Sequence, residues 1–128
     1  TTAFCLSHLG ENGWSVYLEI MGGGFGATAG SDGADGIDNP LSNCSNTPAE
    51  ALDQDFTFFR LTDYALRPGS GGAGRHRGGL GFIRRYEILK DGTKLALYSD
   101  RFRRPAAGLF GGAAGATGGC EVRRGNQR

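Results

Sequence analysis

Trp14-Ser15-Val16-Tyr17-Leu18-Glu19-Ile20 alternates residue by residue, with Trp14, Val16, Leu18 and Ile20 pointing one way and Ser15, Tyr17 and Glu19 the other. Successive side chains of a strand leave opposite faces, so a period of two held over this stretch predicts a half-buried β-strand. It runs straight into Gly22-Gly23-Gly24-Phe25-Gly26 and then into the acidic loop Asp32-Gly33-Ala34-Asp35-Gly36. Consecutive glycines hold neither strand nor helix, so the chain turns repeatedly here. Further on, Phe56 to Tyr64 is rich in aromatic and β-branched residues and predicts a second strand. Phe82 to Leu89 and Lys94 to Tyr98 flank a short link containing Asp91-Gly92, which predicts a β-hairpin because Asp-Gly supplies the positive φ of a tight turn.

Between these strands the chain is loop. Gly69 to Gly79 holds no apolar residue larger than alanine, and residues 105 to 119 are proline, glycine and alanine in loops. Thr47-Pro48-Ala49-Glu50 predicts one short helix near 48 to 53, with Thr47 as N-cap, Pro48 at the first helical position and Glu50 closing a capping box. The fold class is therefore mainly β: a sandwich or distorted barrel of short strands with long Gly-rich loops and one short helix.

Composition agrees. Of 128 residues 24 are glycine, against a usual share of about 7%. A glycine inside a helix costs about 1 kcal/mol relative to alanine, which excludes a helical bundle. Eight Phe, four Tyr and one Trp with a net charge of +1 exclude a disordered chain and suffice for one core over a single domain, 1–128. No apolar stretch approaches the roughly 20 residues of a membrane span. No leader and no methionine stand at Thr1, so a processed or excised piece is expected. Cys5, Cys44 and Cys120 are odd in number, distant and without a CxxC pair, which favours a reduced, cytoplasmic protein over a zinc or disulfide framework. Residues 123–128 form a basic tail expected to fray.

Charge is divided unevenly. Residues 1 to 64 carry nine acids and one base, Arg60, whereas residues 65 to 128 carry thirteen bases and four acids. Either the halves pair across one fold, or the arginine-rich half faces an anion or an acidic partner. Gly69 to Gly79 sharpens the choice. Its glycine N–H groups could converge on an anion beside Arg75 and Arg77, which flank His76, or it could be a wide turn whose arginines pair with acids of the first half. It holds no GxxxxGK[ST], so it is no P-loop. His8 and His76 lack a second ligand at a recognised spacing, so no metal site is expected within the chain, although Asp35 and Asp38 could contribute to a shared one. Ser70 lacks a nucleophile elbow. Arg77-Gly78-Gly79 and the basic tail invite a nucleic-acid reading, against which the aromatics sit in strands rather than among the basic residues.

Five strings in order carry a resemblance: Glu19 with Gly22-Gly23-Gly24-Phe25-Gly26-Ala27; Asp32-Gly33-Ala34-Asp35-Gly36-Ile37; Asn43 with Asn46-Thr47-Pro48-Ala49-Glu50; Leu66 to Gly81; and Ser99-Asp100-Arg101 with Gly108-Leu109-Phe110-Gly111-Gly112. Together they resemble the C-terminal region of the hydantoinase B/oxoprolinase family over roughly residues 17 to 120. The run Ser70 to Gly81 after Arg67-Pro68-Gly69 is the most specific of them.

The resemblance implies a fragment of a larger B-type subunit that works with an ATP-binding A-type subunit. Such enzymes open a cyclic amide, hydantoin or 5-oxoproline, or carboxylate a ketone, through a phosphorylated intermediate shielded from water. It further implies ATP and a divalent metal in the complete complex, none of them held within this chain, a small-molecule substrate, and neither nucleic acid nor membrane as partner. Ser70, Arg75, Arg77, Asp100 and Arg101 are the substrate- or phosphate-binding candidates, and Glu19, Asp35, Asn43 and Asn46 are further motif positions. Where family members often carry histidines this chain has Asp38-Asn39-Pro40, and the family's usual metal-binding residues lie upstream. The competing reading is a non-catalytic β-domain that serves subunit assembly.

Overall fold

The computed structural model describes residues 2–37 and 48–125. Its elements are β1 (Thr2–Gly10), β2 (Gly13–Met21), α1 (Ala49–Asp55), β3 (Phe59–Leu66), β4 (Phe82–Ile88) and β5 (Lys94–Ser99). They form two antiparallel sheets, one ordered β2-β1-β5 and the other β3-β4. The expected β-dominated fold is thus present as two sheets with one short helix, and the described residues close no barrel. None of their helices is long and apolar enough to cross a membrane.

The core lies between the sheets. Phe4 and Leu6 of β1, Tyr17 of β2, Leu52 of α1, Phe58 and Phe59 are buried, with Met21, Phe56, Leu61 and Tyr86 packed against them. Aromatic rings dominate: Tyr17 lies 5.0 Å from Phe59, Phe4 5.1 Å from Tyr86 and Phe59 5.7 Å from Tyr86, measured between centroids. These tilted and edge-on spacings are those in which ring quadrupoles attract. A register shift between Leu61 and Asp63 leaves Thr62 unpaired, its hydroxyl donating to the Arg85 carbonyl, so that Tyr64 rather than Asp63 continues the core face.

Strand β2 is where the alternation predicted it, yet the other face is the buried one. Tyr17 and Glu19 are 7% and 8% exposed, whereas the apolar row Trp14, Val16, Leu18 and Ile20 faces out. The opposing sheet explains this. It presents rings together with the guanidinium of Arg84, and a buried cation is tolerated only beside an anion, which Glu19 supplies and an apolar row cannot.

Three further expectations are corrected or bounded. The hairpin across Asp91-Gly92 does not form, because β4 pairs with β3 and β5 with β1. A two-residue I′ turn needs positive φ at both central residues, and here Gly92 alone has it, at +76°. The five-residue link instead carries the chain from one sheet to the other, with Leu89 N–H donating to the Phe58 carbonyl as it leaves. The helix starts at Ala49 and runs to Asp55, with Pro48 at the N-cap rather than the first helical position and no side-chain cap bond. Thr47, the expected N-cap of that box, lies outside the described residues, whereas Glu50 sits in the first turn of α1; Asp38, Asn39, Pro40, Cys44 and the end of the 123–128 tail lie outside them too. Cys5 and Cys120 are free thiols.

Candidate functional site

At several positions the glycine loops have no room for a side chain because they lie on one another's backbone. A Cβ on Gly24 would sit 1.9 Å from the Gly79 carbonyl oxygen, and one on Gly79 would sit 1.9 Å from that of Ala34. Loop 69–81 is thereby sandwiched between the loop that follows β2 and the segment 106–118. On one side Gly33 N–H donates to Arg77 O (2.7 Å), Gly79 N–H to Phe25 O (2.8 Å) and Gly36 N–H to Leu80 O (2.8 Å). On the other, Ala113 N–H donates to Ala73 O (2.7 Å) and Ala116 N–H to Ser70 O (2.9 Å). Glycine serves here as a packing residue, and several loop N–H groups already have protein acceptors.

Charge closes the same contact. Arg77 grips Asp35 with two hydrogen bonds, Nη1 to Oδ1 at 2.7 Å and Nη2 to Oδ2 at 3.0 Å, and its Nε lies 3.8 Å from Asp32. Asp35 Oδ1 also accepts from Leu80 N–H at 2.8 Å, and Asp32 accepts from Arg77 N–H at 3.0 Å with His76 Nδ1 3.6 Å away. The hydrogen bond from Arg77, aided by Leu80 N–H, holds the Asp35 carboxyl below its ordinary range and raises the guanidinium in turn. One residue along, Gly81 N–H donates to Ser70 Oγ at 2.8 Å while that hydroxyl donates to Arg67 O at 2.7 Å. Adjacent amides of one strand entry thus bind Asp35 and Ser70.

The other candidates occupy different surroundings. Arg75 is exposed and has no hydrogen-bond or ion-pair partner among the described residues. Asp100 is exposed just past the end of β5, and Arg101 has a φ of +64° with its backbone carbonyl accepting from Gly118 N–H at 3.1 Å. Arg67 Nη1 donates to Thr117 O at 2.7 Å, which ties that segment to the loop assembly. Glu19 is in the inter-sheet core, away from the loop network. Asn43 and Asn46 lie outside the described residues.

Arg84 was not among the sequence candidates. Its side chain is buried, ion-paired with Glu19, hydrogen-bonded to Tyr64 OH at 2.9 Å and placed 4.2 Å above the Tyr64 ring. Desolvation pulls this guanidinium down, but Glu19 and Tyr64 outweigh it and hold the group charged. Burial, then the nearby Glu19 charge, push the Tyr86 hydroxyl up, and it donates weakly to Glu19 at 3.4 Å. The signal was present in the alternation Phe82, Arg84, Tyr86, which puts an arginine on an aromatic face. With Arg77 to Asp35 and Arg85 to Asp63, this pair joins the basic half of the chain to the acidic half.

No three His, Cys, Asp or Glu side chains of the described residues converge, a donor set too sparse for a divalent metal on its own. A groove of about 990 Å³ beside the β1–β2 turn, lined in part by His8, Trp14, Phe58 and Lys90, includes none of the candidates. What the loop assembly offers chemically is a backbone-packed platform from which the guanidinium of Arg75 projects, without a partner among the described residues.

A sequence profile of the hydantoinase B/oxoprolinase family matches residues 1–128. An uncharacterized protein of Methanocaldococcus jannaschii is 42% identical over 110 residues, 86% of this chain and 19% of that protein. A Pseudomonas sp. protein, provisionally named as the B-type subunit of a D-/L-hydantoinase, is 34% identical over 113 residues, 88% of this chain and 19% of its own length. The 5-oxoprolinase PfmaA of Pestalotiopsis fici is 38% identical over 115 residues, 90% of this chain and 9% of its own length. The chain therefore spans about a fifth or less of the curated relatives it matches. No solved structure matches it.

Proposed function

The chain belongs to the hydantoinase B/oxoprolinase family, and we propose that it is a domain of a B-type subunit in an ATP-dependent enzyme that opens a cyclic amide or carboxylates a ketone. The names of two relatives, one a hydantoinase component and the other a 5-oxoprolinase, support cyclic amides as the substrate class. Carboxylation of a ketone rests on the family resemblance alone. The complete enzyme is cytoplasmic, includes an A-type subunit that binds ATP, and holds a divalent metal. An amide carbonyl is a poor electrophile, and phosphorylating its oxygen activates it, provided that water reaches the intermediate only when required.

In this reading the chain contributes an anion-facing platform. The observation that carries it is the contrast between two neighbouring arginines: Arg77 is clamped to Asp35, while Arg75 projects without a partner among the described residues. Arg75 takes the phosphorylated intermediate by charged hydrogen bonds. Ser70, Arg77 and Asp35 hold the loop that carries it, and Asp100 and Arg101 border the segment packed beneath. Arg77 itself reaches an anion only by releasing Asp35.

The test is ATP-dependent turnover by the complete subunit pair with hydantoin, 5-oxoproline, or a ketone plus bicarbonate. Arg75→Ala is expected to lower turnover about tenfold to a hundredfold, the value of a well-formed charged hydrogen bond. Its melting temperature should not move, since the side chain is exposed and has no partner among the described residues. Full turnover by Arg75→Ala overturns the platform and leaves the domain an assembly role.

A further inference from the structure

The three-stranded sheet is apolar on both of its faces. Its inner face carries Phe4, Leu6 and Tyr17. On the outer face the register sets Leu9 opposite Trp14, Ser7 opposite Val16, Cys5 opposite Leu18 and Ala3 opposite Ile20, with Tyr98 and Ala96 of β5 completing the row beside Ala3 and Cys5. Trp14 is 55% exposed, Leu18 66% and Tyr98 73%. Lys94 is the sole charge at these paired positions, and its amine lies 5.0 Å from the centre of the Trp14 ring.

Contiguous apolar surface of this kind marks a contact with protein. A sheet with two apolar faces is the pattern of a middle layer, covered on both sides. We propose that the outer face of the β2-β1-β5 sheet is an internal interface of the B-type subunit, covered by an apolar surface from the remainder of that same polypeptide. This rests on the reading that the chain works as part of such a subunit. The occupant follows from two facts. The matched relatives from Methanocaldococcus jannaschii and Pseudomonas are about five times as long as the aligned region, so most of a subunit is available to cover it. A face with a single charge, already placed over a tryptophan, calls for an apolar cover rather than a charged partner.

The test uses the complete B-type subunit. Cys5, at the centre of the face between Leu18 and Ala96, is the native reporter, and Leu18→Cys places a second thiol on the same face. Labelling rates of both are read by peptide mass spectrometry in the native subunit and after unfolding. Protection of about a hundredfold or more at both positions is expected, independent of protein concentration. Labelling of either thiol within about tenfold of its unfolded rate overturns the proposal, and Cys5 in the unmodified subunit decides if Leu18→Cys does not fold. Protection that disappears on dilution assigns the face to a second copy and overturns it as well. Turnover is measured on the same preparation with the A-type partner. Protected thiols without turnover defeat the functional reading alone, and turnover with open thiols defeats this proposal alone.

Discussion

Arg77 holds both carboxylate oxygens of Asp35, at 2.7 and 3.0 Å, across 42 residues of chain. Parallel N–H···O bonds of this kind fix angle as well as distance, so the pair sets how the acidic loop and the Gly69–Gly81 loop meet. Since Asp35 also accepts from Leu80 N–H, the carboxylate organises backbone as well as side chain.

Asp35 titrates below its ordinary value of 3.8 in the folded chain. The unfolded chain therefore takes up this proton first, and the stability the pair contributes is complete above about pH 4 and lost as pH falls through the lowered value. Thermal melts of the native protein should show that loss in acid only, with no pH dependence from this pair between about pH 5 and 8. Asp35→Asn should melt lower at neutral pH and lose less than the wild type on acidification. Parallel acid profiles for the two proteins would refute the assignment.

Removing one partner of the buried Glu19–Arg84 pair strands the other charge in an aromatic core. Glu19→Leu and Arg84→Met should each cost about 3 to 5 kcal/mol by denaturant titration, and the double variant should recover most of that loss. Arg84 Nε and the Tyr17 hydroxyl have no hydrogen-bond partner among the described residues, so the polar cluster is imperfect to begin with. A double variant as unstable as the sum of the singles would show that the two charges are not coupled and refute the assignment.

Gly79→Ala would place a methyl 1.9 Å from the Ala34 oxygen, whereas nothing lies within 4 Å of a Cβ on Gly23. The first should lose about 2 kcal/mol or more, and the second should stay within about 0.5 kcal/mol of wild type or gain slightly. Equal melting temperatures for the two would mean that the loops are not packed backbone to backbone.

Phe110 adopts a φ of +51° with its ring fully exposed, and Gly112 N–H closes the turn on Leu109 O at 2.9 Å. A left-handed conformation suits asparagine better than phenylalanine. Phe110→Asn should raise stability by up to about 1 kcal/mol, because the ring contributes no burial to offset its strain. A lower melting point would show that the ring packs within this chain after all.

Local pattern and tertiary context divided the work here in a way that particular residues make plain. The alternation of Trp14 to Ile20 was enough for a strand, since side-chain period depends only on backbone geometry. Glycine content likewise was enough for long loops, and the strings from Glu19 to Gly112 were enough for the family. Which face of β2 is buried was not legible there, because the answer depends on Arg84, sixty-five positions away, needing an anion opposite. Asp91-Gly92 announced a turn, but whether a turn closes a hairpin depends on where its flanking strands pair, and here β4 joins β3 while β5 joins β1 in the other sheet. Arg75 and Arg77 flank one histidine and read alike along the chain. Only folding set Arg77 against Asp35 and left Arg75 without a partner among the described residues, because charge pairs at the short range where Coulomb and hydrogen-bond energies act, and that range is spatial, not sequential.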